Sequence, residues 1–357
     1  MKYMIITAAM ITMASLTSNS QNMNNLNLDT SVAPAEKLTL TQEWDKVFPK
    51  SDKVNHRKVT FVNRYGVTLA ADMYTPVNAS GKLPAIAVSG PFGAVKEQSS
   101  GLYAQQLAER GFITIAFDPS FTGESGGHPR RVASPDINTE DFSAAIDFLS
   151  VQPDVDSSRL GILGVCGWGG IAIQAAINDP RIKATVASTM YDMTRVSANG
   201  YFDADDSKEK RNANRAALAA QRTEDYRNGS YRRAGGVVDP LPDDAPQFVK
   251  DYHAYYKTPR GFHPRSGNST DGWNATSTLP FINFRFFEYA DELESAVLIL
   301  HGDAAHSYYF GKDTFARLKG DNKQMLTVKG ASHCDLYDQL DIIPFDEIAA
   351  FYNEYLK

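Results

Sequence analysis

The chain has 357 residues, of which 43% are apolar and 22% charged, with a formal net charge of −6. That length suits one large α/β core with an insertion, and the composition is that of a soluble globular enzyme. An acidic chain whose basic pairs, such as Arg130-Arg131 and Arg232-Arg233, are short and scattered lacks the clustered cations that nucleic-acid phosphates require, which excludes that class of partner.

In chain order, "MKYMIITAAMITMASLTSNSQ" has one lysine, an apolar run from Tyr3 to Leu16 and then small polar residues. It reads as a secretory signal peptide over residues 1–20, too short to span a bilayer. Export to the periplasm or beyond, with no membrane attachment after processing, is the expectation; a buried N-terminal helix is the competing reading. Residues 21–38, rich in Asn, Ser and Thr, read as a flexible leader.

"RKVTFVNRYGVTLAADMYTP" predicts two strands around a turn at Tyr65-Gly66. "LPAIAVSG" is a buried strand, and "SSGLYAQQLAERG" a serine-capped amphipathic helix ending at Gly111. "FITIAFDPS" is a strand, and "TEDFSAAIDFLSVQP" a helix capped at Thr139 or Asp141. "RLGILGVC", the helix "GGIAIQAAINDP" and the strand "IKATVASTM" follow. After a long interruption come "SAVLILHGD", a helix through "KDTFARLKG", the strand "KQMLTVKG" and the helix "FDEIAAFYNEYL". Apolar strands alternating with helices imply a mostly parallel sheet covered on both faces, the first hairpin supplying an antiparallel edge.

The interruption, residues 191–293, opens with the charged helical stretch "SKEKRNANRAALAAQRTEDYRNG" and then turns rich in aromatics, among them Tyr252, Tyr256, Trp273 and Phe287. A structureless loop of that length is out of place in a compact domain, so the segment is expected to be a cap inserted after the sixth strand. Residues 39–190 and 294–357 would form the core. Some of its aromatics should line a pocket.

The chemistry centres on "GILGVCGWGG", residues 161–170. A strand, a tight turn and a helix would place Cys166 at a strained apex, with Gly164 on one side and Gly167, Gly169 and Gly170 on the other. The helix N-terminus there favours an anion. An inert buried cysteine is the competing reading.

This turn resembles the nucleophile elbow of the α/β hydrolases, with departures. Trp168 stands where the common motif has glycine, and the glycine falls one place later, as in the cocaine esterase and Xaa-Pro dipeptidyl peptidase branch. A cysteine apex resembles dienelactone hydrolase. With "GPFGAVKEQSSGLYAQQLAERGFITIAFDPSFTGES", "STMYDMTR" and "GASHCDLYD", residues 57–357 are similar to the dienelactone-hydrolase-like group of that superfamily.

The resemblance implies an α/β-hydrolase fold with its base in the loop after the last strand, where His333 stands. The acid is either Asp303, one residue after Gly302, or Asp192 at the end of the preceding strand; Asp335 and Asp338 would order the histidine loop. Gly167 would supply one oxyanion-hole N–H group and Phe92, or else Gly93, the other, since Pro91 has none to give. Lys96 and Glu97 are expected to pair, either beneath the site or as an exposed surface pair, and Asp118 and Glu124 to brace loops.

A histidine partner and a helix N-terminus should lower the Cys166 pKa to about 3.5–7.5. A thiolate leaves readily, so amide attack reverses, and esters, lactones and thioesters are the expected substrates, passing through an acyl-enzyme. Acyl transfer by the same route, or a binding protein on a hydrolase scaffold, are the alternatives. The two cysteines, Cys166 and Cys334, form neither a disulfide framework nor a zinc site, although a bridge between them is conceivable on folding. No metal-ligand cluster or nucleotide fingerprint stands out, so no cofactor is expected and the partner is a small acyl substrate; oligomeric state is left open.

Overall fold

Asn63 begins the first turn, and its side chain accepts hydrogen bonds from the N–H groups of Tyr65 and Val67 (both 3.0 Å), the local bonding that makes asparagine a turn former. It joins β1 (Val54–Val62) to β2 (Thr68–Pro76) in an antiparallel pair. The computed structural model describes residues 35–357; the expected signal peptide and residues 21–34 of the expected leader lie outside the described residues. Within the remainder of that leader, Glu36 donates its N–H to Thr68 Oγ1 (2.8 Å).

The sheet continues with β3 (Leu83–Ser89), β4 (Ile113–Phe117), β5 (Val155–Val165), β6 (Ile182–Ser188), β7 (Ala296–Gly302) and β8 (Lys323–Val328). The spatial order is β1-β2-β4-β3-β5-β6-β7-β8. β2 meets β4 antiparallel, and every pairing from β4 onward to β8 is parallel. Val88, Leu163, Val186 and Leu298 lie side by side across β3, β5, β6 and β7 and are buried. Continuous apolar strands of this kind are those of a sheet sealed on both sides.

The helices are α1 (Ser99–Ala108), α2 (Pro135–Ser150), α3 (Gly167–Asn178), α4 (Met193–Asn199), α5 (Lys208–Asn228), α6 (Gln247–Tyr256), α7 (Thr278–Asn283), α8 (Tyr308–Arg317), α9 (Asp335–Asp338) and α10 (Phe345–Tyr355). Phe142 and Ile146 of α2 and Ile171 of α3 pack on one face of the sheet. Tyr103 and Leu107 of α1 and Ile348 and Tyr352 of α10 pack on the other.

Two helix starts differ from the sequence expectation. The N-cap of α1 is Gln98, with Ser99 already inside the helix. α2 begins a turn early, at Pro135 with Ser134 as N-cap, because proline's fixed φ suits the first helical position. Thr139 then bonds back to the Pro135 carbonyl (2.6 Å), and Asp141 turns inward to accept from Asn63 Nδ2 (2.9 Å) and Ser120 N (2.9 Å).

Between β6 and β7 lies the long inserted segment carrying α4 to α7. α5 is the charged stretch, capped by Ser207 Oγ on the N–H of Lys210 (3.1 Å) and closed by Gly229 in the left-handed conformation. The segment is fastened to the core by side chains. Arg260 pairs with Asp338 (2.6 Å), and Arg265 with Asp45 (2.6 Å) and Glu97 (2.8 Å).

Candidate active site

β5 ends at Val165 and α3 begins at Gly167, and Cys166 between them has φ 60° and ψ −127°. Such backbone costs about 1–3 kcal/mol and survives only where its surroundings hold it. Here Cys166 N donates to Ser188 O (2.9 Å), while its carbonyl accepts from Gly169 N (2.9 Å) and Tyr191 N (3.0 Å). The turn is closed so tightly that a Cβ on Gly164 would stand 2.0 Å from the Trp168 carbonyl oxygen, and one on Gly170 2.2 Å from that of Tyr191. Trp168, the departure from the usual motif, faces the core against Phe117 (5.7 Å) and Phe142 (5.5 Å).

Cys166 sits in a cavity of about 230 Å³ whose walls include Phe92, Tyr191, Tyr252, Asn268, Trp273 and Tyr337. Burial pushes the thiol pKa up, against hydrogen bonding to sulfur from the Tyr337 hydroxyl, the N–H groups of Gly167 and Phe92, and the Tyr252 hydroxyl. The low thiol pKa expected from the sequence is therefore not found: desolvation outweighs the donors, and the imidazole nearby is not a cation. His333, 1% exposed, is held well below its ordinary pKa, first by burial and then by the neighbouring rings of His306 and His301.

His333 follows β8, as anticipated. Its Nδ1 lies 2.6 Å from Ser307 Oγ and 2.8 Å from Thr189 Oγ1, and its Nε2 lies 3.0 Å from Tyr337 Oη. Tyr337 lines the same cavity as Cys166, so its hydroxyl links the imidazole to that cavity.

Neither carboxylate expected as the acid is hydrogen-bonded to His333 among the described residues. Asp303 is exposed and accepts from the N–H of Gly330 (2.6 Å), which closes the loop after β8. Asp192 caps α4, accepting at Oδ1 from Thr194 N (2.9 Å), Thr194 Oγ1 (2.6 Å) and Arg195 N (3.0 Å), and burial raises its pKa. Each is drawn instead to unpaired backbone N–H groups beside it. Asp335 does order the histidine loop, through Ser332 N (2.8 Å), whereas Asp338 turns to Arg260. Cys166 and Cys334 are both buried free thiols.

Several residues escaped the sequence reading. Tyr337 stands four residues after His333 in "HCDLYD", a helical spacing that was there to be used. His306 stacks on Phe248 (centroids 4.4 Å) and hydrogen-bonds through Nε2 to the Tyr191 hydroxyl, which lies 2.9 Å from that of Tyr252. Burial lowers the pKa of His306 to about 4. Asn268, from the inserted segment, donates through Nδ2 to Phe92 O (2.8 Å) and through N to Gly93 O (3.0 Å). It fixes the loop that carries the Phe92 N–H.

Beneath that loop lies a buried ionic cluster. Lys96 Nζ is 2.6 Å from Glu97, 2.8 Å from Asp118 and 2.7 Å from Glu124, filling the place a cation would take among three carboxylates. The expected Lys96–Glu97 pair is present but fully buried, and Asp118 and Glu124 brace the loop by sharing the same ammonium. Asp118 Oδ1 also accepts from the N–H of Lys96 (2.8 Å).

Residues 65–334 match the family model of the X-Pro dipeptidyl-peptidase (S15 family). The uncharacterized protein PA2218 of Pseudomonas aeruginosa is 56% identical over 321 residues, spanning 89% of this chain and 86% of its own. Its crystal structure matches with a TM-score of 0.87 at 55% identity, over 90% of this chain and 99% of that one. The α/β hydrolase GrgF from Penicillium sp. sh18 matches with a TM-score of 0.70 at 16% identity, over 85% of this chain and 99% of its own, a likeness of fold. A shorter match, 32% identical over 137 residues, covers 38% of this chain and 42% of the thiohydrolase aneE of Aspergillus aculeatus. With three quarters of its length matched by the one family model, on a mostly parallel sheet of eight strands, this chain is an α/β-hydrolase-fold member of the X-Pro dipeptidyl-peptidase (S15) family.

Proposed function

We propose that the protein is an acyl hydrolase acting on small esters, lactones or thioesters through an acyl-enzyme on Cys166. One observation carries the reading: a cysteine held in left-handed backbone at a strand-to-helix turn, opening into an aromatic cavity that Phe92 and Tyr337 also line. The cysteine apex is also what keeps the dienelactone-hydrolase-like resemblance in play. The thiohydrolase named among the matches supports thioesters as one substrate class.

In the proposed reaction the thiol proton passes to the Tyr337 oxygen as the Tyr337 proton passes to His333 Nε2. His333 Nδ1–H donates to the hydroxyls of Ser307 and Thr189. The sulfur pair attacks the acyl carbon, and the carbonyl pair moves onto oxygen, facing the N–H groups of Gly167 and Phe92. Collapse breaks the bond to the leaving group, which regains the proton from His333 through Tyr337. Water then hydrolyses the thioester. A neutral thiol that becomes anionic only as its proton is withdrawn suits leaving groups that depart readily, and an amine leaves less readily than the thiolate itself. The apolar N-terminal run supports export of the mature chain.

Mass spectrometry of the protein mixed with p-nitrophenyl acetate tests this. An acetyl adduct on Cys166, with activity lost in Cys166→Ala, is the expected result. Full activity in Cys166→Ala would end the proposal.

A further inference from the structure

Two histidine–tyrosine arms converge on the Cys166 cavity. One is His333 to Tyr337 (3.0 Å). The other is His306 to Tyr191 to Tyr252, the two hydroxyls 2.9 Å apart. Tyr337, Tyr252 and Tyr191 all line the cavity with Cys166. The imidazole centroids are 5.2 Å apart, close enough that a proton on one ring opposes a proton on the other.

The arms differ in their outer ends. His333 is sealed, its Nδ1 taken by Ser307 and Thr189, with no carboxylate hydrogen-bonded to it among the described residues. It can borrow a proton only briefly, and acylation asks no more, because the leaving group takes the proton back. Deacylation asks for something else. Hydrolysis to a carboxylate at neutral pH releases one net proton, which must leave the cavity. His306 is half-buried rather than sealed, and neutral at that pH.

We infer that Tyr252 is the group that deprotonates the hydrolytic water, with Tyr191 and His306 as the relay behind it. This rests on the acyl-enzyme reading above. As the water oxygen attacks the thioester carbon, its proton goes to the Tyr252 oxygen, the Tyr252 proton to Tyr191, and the Tyr191 proton to His306 Nε2. The carbonyl pair returns, the carbon–sulfur bond breaks, and the sulfur leaves as thiolate. That thiolate takes the second water proton from the carboxylic acid formed beside it, so the product leaves as carboxylate, Cys166 is again a thiol, and the one net proton is the one carried by His306. Tyr252 touches the reacting water; Tyr191 and His306 are positioning residues acting through it. The division of labour is one histidine for each half-reaction.

The test is stopped-flow hydrolysis of p-nitrophenyl acetate with intact-mass analysis, on wild type, His306→Ala, Tyr252→Phe and Cys166→Ala. General base catalysis contributes about 10²–10⁴-fold. In His306→Ala and Tyr252→Phe, deacylation should slow by about 100-fold and by at least tenfold more than acylation, so that a nitrophenolate burst appears and acetyl-Cys166 accumulates. Added imidazole should restore deacylation in His306→Ala but not in Tyr252→Phe, which a merely structural role for His306 would not produce. If His306→Ala does not fold, Tyr252→Phe carries the same prediction. Equal slowing of both steps, or no accumulated adduct while Cys166→Ala is inactive, overturns the relay alone. Activity in Cys166→Ala overturns the acyl-enzyme reading beneath it.

Discussion

Ser307 Oγ lies 2.6 Å from His333 Nδ1, with Thr189 Oγ1 at 2.8 Å on the same nitrogen. Two neutral hydroxyls therefore orient an imidazole that a carboxylate would orient in the familiar triad. Each such bond is worth about 0.5–1.5 kcal/mol. The double variant Thr189→Val/Ser307→Ala should lower kcat/KM on an activated ester by about 10–100-fold. Asp303→Asn, which keeps an oxygen for Gly330 N, should stay within about threefold of wild type. A larger loss in Asp303→Asn than in the double variant would restore a carboxylate to the mechanism.

The rate of Cys166 alkylation by iodoacetamide should rise with pH and keep rising above the ordinary thiol pKa of about 8.5. Burial pushes this pKa up, so the thiolate fraction at neutral pH is small and grows tenfold per pH unit until the raised pKa is reached. A plateau below pH 7.5, followed by mass spectrometry of the labelled peptide, would mean that the sulfur is a standing thiolate.

Asn268 connects the inserted segment to the oxyanion loop through the carbonyls of Phe92 and Gly93. Asn268→Ala frees the Phe92 carbonyl and loosens the N–H on the same residue. A fall in kcat of about 10–100-fold is expected, since a misplaced oxyanion donor is felt chiefly in the transition state. Steady-state kinetics on two esters of equal acyl group should show kcat falling more than KM rises.

Glu124 governs a pH dependence of stability. Burial pushes its pKa up, but the Lys96 charge and hydrogen bonds from Lys58 and Lys96 prevail and hold it at about 2, against 4.5 ordinarily. A carboxylate lowered on folding gives stability that is full above pH 4.5 and lost as pH falls through 2. Denaturant melts should show the protein losing on the order of 3 kcal/mol across that window from this group. Glu124→Gln should be less stable at pH 7 and show a shallower acid limb. Lys96→Met, which strands the buried Asp118 while Glu97 keeps Arg265 and Glu124 keeps Lys58, should cost about 3–5 kcal/mol.

The sheet was legible because six of its strands are short apolar runs closed by turn residues, and the tight strand-to-helix turn at Cys166 because glycines crowd it. His333 was legible by its place after β8. The surroundings of Asp303 and Asp192 were not, because their placement beside the histidine rested on resemblance, while each accepts from a backbone N–H instead, that of Gly330 and that of Thr194. The thiol pKa was misjudged for a related reason: charge partners can be guessed from sequence, but the burial that outweighs them is a property of the packed cavity. Thr189, Ser307 and Asn268 come from three separate stretches, and only folding brings them to His333 or to the loop of Phe92. Tyr337, at i+4 from His333, was within reach of sequence reasoning alone.

Arg260, Arg265 and Asn268 rivet the roof of the cavity to its floor, one to the histidine loop and two to the oxyanion loop. Roof and floor are consequently one piece of machinery. Grafting a different roof onto this sheet would unsettle the Cys166 turn and the Phe92 loop along with the outline of the cavity, so a change of cavity shape has to be sought by recarving individual walls in place.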